Sequence, residues 1–129
     1  MRRILSLPAL AAVLSACGSS AVAHTPLAFG VSGGNVVPYT ITIQPNGLVR
    51  VRGTATVKRR PIRAAKVRRL RAAVQGAHLT SRQCPGTLPD VASRFIRIGS
   101  RTVTVHGSCE PRFQTLWNEL AQAAGLPRS

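Results

Sequence analysis

Pro38-Tyr39-Thr40-Ile41-Thr42-Ile43-Gln44-Pro45-Asn46-Gly47-Leu48-Val49-Arg50-Val51-Arg52 decides how the rest of the chain is read. Tyr39, Ile41 and Ile43 fall on one side of an extended strand, and Thr40 and Thr42 fall on the other. That alternation belongs to a strand with one buried face. Asn46-Gly47 tolerates the positive φ that a tight hairpin turn demands. The chain then returns as a second strand over Leu48 to Val57, in which Val49 and Val51 alternate with Arg50 and Arg52.

Downstream the period changes. Val67, Leu70, Val74 and Ala77 recur at spacings of three and four, so a helix with one apolar stripe is predicted from about Ile62 to Gly76. Arg68, Arg69 and Arg71 are expected to point away from that stripe. Thr80 to Val91, with Pro85-Gly86 and Pro89, reads as loop. A second hairpin follows: Ile96 and Ile98 alternate with Phe95 and Arg97, Gly99-Ser100 turns, and Val103 and Val105 alternate with Thr102, Thr104 and His106. Pro111 suits the first position of a last helix with a stripe of Phe113, Leu116, Trp117, Leu120 and Ala124, ended by Gly125 and Pro127. The expected architecture is α+β in the order ββαββα: a four-stranded antiparallel sheet of two hairpins, with both amphipathic helices on one face. One domain is expected over residues 36–126. The stretch from His24 to Asn35, rich in glycine, reads as its run-in.

Met1-Arg2-Arg3 is a short positive region, Ile4 to Leu14 carries no charge, and Ser15-Ala16 places small residues before Cys17. These are the parts of a secretory signal, too short to span a hydrocarbon core of about 30 Å. Leu14-Ser15-Ala16-Cys17 resembles the lipobox of bacterial lipoproteins. That resemblance implies cleavage after residue 16, a diacylglyceryl group on Cys17, and a protein of the bacterial cell envelope held on the extracytoplasmic side of a membrane. Residues 17–35 are then a lipidated N-terminus and tether.

Eighteen Lys and Arg face three acidic residues, Asp90, Glu110 and Glu119, for a formal net charge of +15. Behind a secretion signal the available polyanions are phospholipid headgroups, cell-wall polymers and acidic proteins rather than nucleic acid. The cations are densest at Lys58, Arg59, Arg60, Arg63, Lys66, Arg68, Arg69 and Arg71, which form the candidate anion-binding patch. Few aromatics interleave with them, so base stacking is not expected. With Cys17 lipidated, Cys84 and Cys109 remain as an even pair in an oxidising compartment. A disulfide is expected, closing a loop of about 25 residues and worth roughly 3 kcal/mol.

No residue spacing announces catalysis, a metal site or a cofactor. His24, His78, His106 and the three carboxylates form no metal-ligand or acid–base pattern, and Ser108 near His106 lacks a nucleophile elbow. His78 is expected at a helix C-terminus and His106 on an exposed strand position. Gly33-Gly34 before a strand, the hairpin-helix-hairpin-helix order and the closing helix are similar to emfourin-type bacterial inhibitors of thermolysin-like metalloproteases, and to other small secreted domains. That resemblance implies an inhibitor or regulator of a secreted protease. The residues themselves point to a non-enzymatic lipoprotein that presents a basic, disulfide-stapled domain to an anionic surface or an envelope protein.

Overall fold

The computed structural model describes residues 25–58 and 60–127. Cys17, the expected signal peptide over residues 1–16 and the first part of the tether lie outside the described residues. The elements are β1 (Leu27–Ser32), β2 (Tyr39–Ile43), β3 (Val49–Gly53), α1 (Ala64–Gly76), β4 (Arg82–Gln83), β5 (Ser93–Ile98), β6 (Arg101–His106) and α2 (Pro111–Ala124).

The fold is α+β with two helices, but the sheet has six strands rather than four and is mixed rather than antiparallel. Its order is β3-β2-β1-β5-β6-β4, with only the β4–β6 pair parallel. The stretch taken as run-in and tether contains β1, which lies between the two predicted hairpins and pairs with both: Phe29 opposes Ile41 on one side and Ile96 on the other. The period-2 signal is weak there because the positions that should be polar are Ala28, Gly30 and Ser32, and Leu27 through Gly30 are buried. Gly30 is needed: a Cβ on it would lie 2.0 Å from the Tyr39 carbonyl oxygen and 3.0 Å from the Phe95 ring. The second added strand, β4, is only two residues long and rises from the segment read as loop.

Both hairpins form as their turns predict. At the first, Gly47 N–H donates to the Gln44 carbonyl at 2.8 Å and Leu48 N–H to Asn46 Oδ1 at 3.1 Å. Its return strand stops at Gly53 rather than Val57, where the backbone turns to φ +102°.

Alternation across this register puts Leu27, Phe29, Ile41, Ile43, Ile96, Val103 and Val105 on one face. They form a single core cluster with Val67, Leu70 and Val74 of α1 and with Phe113, Trp117 and Leu120 of α2. Both helices therefore cover the same face. The Trp117 ring meets Phe29 edge-on at 5.6 Å, and its indole N–H donates to the Gly30 carbonyl at 3.2 Å. Pro111 opens α2, and Gly125, left-handed at φ +79°, closes it while Leu126 N–H reaches back to the Ala121 carbonyl. That is the capping expected from its sequence. At α1 the left-handed residue after the helix is His78 at φ +49°, not the helical Gly76.

Candidate functional site

The predicted cationic patch is divided by the structure. Lys58, Arg60, Arg63, Lys66, Arg68 and Arg69 are exposed, whereas Arg59 lies outside the described residues. Arg71 is a correction: it is 8% exposed and turned inward, its guanidinium donating to the Thr25 carbonyl oxygen. The reason is angular. One helical step beyond Leu70 and four beyond Val67, position 71 falls at the margin of the buried stripe, and the long side chain reaches under the start of β1. Arg71 thus ties α1 to the sheet and leaves the anion-binding set.

The remaining cations of α1 are arranged against the helix's own field. Its N-terminal end carries Arg63 at the cap position and Lys66 in the first turn, with no acidic residue there, and its last turn has no basic one. A macrodipole favours the reverse, by about 0.3–1 kcal/mol per exposed charge.

The sheet face away from the helices carries a second set that the sequence reading left unassembled. Register brings Arg52, Thr40, Gly30, Phe95 and Thr104 into one transverse row, and Arg50, Thr42, Ala28, Arg97 and Thr102 into the next. Arg50, Arg52 and Arg97 are exposed, and no acidic residue shares these rows. Among the described residues one ion pair forms, Arg82 with Glu110 at 2.7 Å. Most of the positive charge is therefore uncompensated.

Cys84 and Cys109 are joined in a disulfide, with Cα atoms 5.7 Å apart. Beside it His106 is half-buried, not freely exposed. Its Nε2–H donates to the Val91 carbonyl at 2.8 Å and its Nδ1 accepts from the Gln83 amide. Both ring nitrogens hold loop to strand, which leaves neither to activate Ser108. No cluster of three His, Cys, Asp or Glu suited to a metal occurs among the described residues, and no helix there is long and apolar enough to cross a membrane.

Against the disulfide lies an open groove of about 970 Å³. Val36, Val37, Leu88 and Val91 line it at 46%, 62%, 64% and 45% exposure, and they are four of the six large apolar side chains exposed among the described residues. Val31, Tyr39, Arg94 and Gln114 also line it. Arg94 occupies the core-facing row, between Val31 and Val105 of the adjoining strands, and its guanidinium stacks 4.5 Å from the Trp117 ring centroid. Burial pushes the Tyr39 phenol above its ordinary range, while the Arg94 charge pulls it back. The two polar groups are thus within electrostatic reach. Sequence reading missed this site because Val36-Val37 fell between the run-in and the first strand, assigned to no element, and Leu88 and Val91 fell in the segment read as loop; the available signal was those aliphatic residues.

No protein-family model matches the chain, and no curated protein and no solved structure is found to match it.

Proposed function

We propose that the chain is a non-enzymatic binding protein of the bacterial cell envelope, which docks on anionic surfaces through the exposed cations of α1. Lipid on Cys17 would hold the domain near such a surface and make each added charge effective. The supporting observation is the placement of charge on α1: Arg63 and Lys66 at the end where the macrodipole disfavours them, Arg68 and Arg69 beyond, and no acidic residue on the helix. A face selected only for solubility or helix stability would carry mixed signs, with acids in the first turn. The cation cluster has the distribution expected when an external anion supplies the counter-charge.

The test is sedimentation of the lipid-free domain with vesicles of anionic or neutral composition over a range of salt. Binding to anionic vesicles is expected at low salt, with release as screening rises. Replacing Lys66, Arg68 and Arg69 by Gln removes three charges worth about 1 kcal/mol each, so partitioning should fall about a hundredfold. Arg71→Gln serves as the contrast: it should lower the melting temperature and leave vesicle binding per folded molecule unchanged. Equal partitioning of the triple variant and the parent at every salt concentration would show α1 to be a solvated face.

A further inference from the structure

We infer that the groove beside the disulfide is a binding site for the apolar C-terminal end of a polypeptide, with Arg94 receiving its carboxylate. This goes beyond charge-driven docking, because it concerns a different surface and a ligand selected by shape as well as charge.

Two independent observations converge on the groove. The first is apolar. Val36, Val37, Leu88 and Val91 gather on one depression and remain close to half exposed or more, whereas most aliphatic side chains of the sheet and both helices pack in one core and the other two exposed ones, Leu48 and Val51, lie at the β2–β3 hairpin. Clustered exposed aliphatics bordering a concavity mark an interaction site.

The second is the cation. Arg94 stands in the row Tyr39, Val31, Arg94, Val105 on the helix-bearing face, a row that otherwise supplies apolar and aromatic groups. A guanidinium at such a position loses hydration. Its guanidinium carbon lies 4.5 Å from the Trp117 ring centroid, a contact that offsets part of that loss. The ion pair found among the described residues joins Arg82 and Glu110, so Arg94 has no carboxylate partner among them. A half-buried guanidinium in the lining of an apolar groove is suited to receive a carboxylate through two parallel hydrogen bonds. Tyr39 and Gln114 line the same groove and supply further polar contacts.

The open form of the groove selects the class of occupant. Sites for small ligands bury most of the ligand surface. Here the rim side chains stay in water, so an occupant keeps one side exposed, as an extended peptide lying on a surface does. Val31, Val36, Val37, Leu88 and Val91 supply the aliphatic part of a lining that also holds Thr87, Ser108 and Gln114, and that part matches valine- and leucine-like side chains. The single cation calls for one negative charge, and a chain terminus provides it next to apolar residues without a second polar side chain.

Trp117 is the only tryptophan and touches Arg94, so its fluorescence reports occupancy. The probes are an N-acetylated tetrapeptide of valine and leucine with a free C-terminal carboxylate, the same peptide as its C-terminal amide, and decanoate. Titrations are run at salt that releases the domain from anionic vesicles. The acid peptide is expected to bind the parent at least tenfold more tightly than the amide. Arg94→Gln should erase that preference, and Arg94→Lys, which keeps the charge and loses the fork, should retain part of it. Val37→Ser with Leu88→Ser should weaken both peptides alike, and the Lys66, Arg68 and Arg69 variant should bind them as the parent does, which separates this site from docking through α1. Equal affinity for acid and amide, or binding of neither at millimolar concentration, would overturn the assignment. Decanoate competing as strongly as the acid peptide would overturn the peptide as occupant and assign the groove to aliphatic carboxylates at large.

Discussion

Removing the disulfide should cost the domain a large share of its stability. Cys84 and Cys109 are 25 residues apart, and the loop they close contains β5 and β6, two of the six strands of the sheet. In the chain-entropy treatment a closure of that length removes about 3.5 kcal/mol from the unfolded ensemble. Domains of this size are stable by only about 5–15 kcal/mol, so the loss is substantial. In a domain of roughly 100 residues each kcal/mol shifts the melting temperature by about 4 °C or more, which places the expected drop near 15 °C. The assay is thermal unfolding of Cys84→Ala/Cys109→Ala beside the parent, followed by circular dichroism. The parent measured under reducing conditions should fall to the same temperature, because both perturbations open the same loop. A drop of less than about 4 °C in both, equivalent to about 1 kcal/mol, would refute the view that loop closure is the bond's main contribution.

Two further substitutions test the packing. Gly47→Ala should destabilise by more than about 2 kcal/mol in urea unfolding, because Gly47 is at φ +87° and a Cβ there would come within 1.7 Å of the Ile62 carbonyl oxygen; a loss under about 0.5 kcal/mol would mean that the β2–β3 turn is free to re-form. Trp117→Phe removes the donor to the Gly30 carbonyl and part of the stack under Arg94, so a loss of about 2 kcal/mol by the same method is expected; an unchanged midpoint would show that the indole N–H contributes nothing to holding α2 on β1.

What was legible in the sequence was whatever local pattern and burial agreed upon. β2, β5, β6 and the apolar stripes of both helices were readable because each buries one face and exposes the other, which imposes a period on residue type, and the hairpin turns and the caps of α2 were readable from their glycines and Pro111. β1 obeys the same geometry but hides it. Flanked on both sides by strands, it fills its outward positions with Ala28, Gly30 and Ser32, so only one small polar residue, at its very end, marks the period. β4 is too short for any period to exist. Arg71 escaped for a different reason. Residue type argued for solvent, and only its place at the edge of the α1 stripe, above the start of β1, turns a long cationic side chain inward, where its stem can pack and its head reaches a carbonyl. The disulfide was expected from an exported chain in which Cys17 is set aside for lipid and two cysteines remain, and that reading needed no geometry.

Missing β1 also hid the groove, and for the same physical cause. With two independent hairpins, the segment before Tyr39 and the segment before Ser93 are unrelated loops. With β1 between them, the end of β1 lies beside the starts of β2 and β5, since Val31 opposes both Tyr39 and Arg94. The chain leaving β1 must then cross the chain entering β5. Gly34 makes that crossing possible: at φ +62° its backbone runs so close to Asp90, Val91 and Ala92 that a Cβ would fall 2.6 Å from the Asp90 carbonyl oxygen. The Asn35 N–H donates to that oxygen at 3.0 Å. This contact fixes Val36 and Val37 on one side of a depression whose other side carries Leu88 and Val91, and Arg94 follows a few residues later on β5. The site is therefore a product of topology. Residues that look like incidental aliphatics in two connectors become one surface only once the central strand is in place.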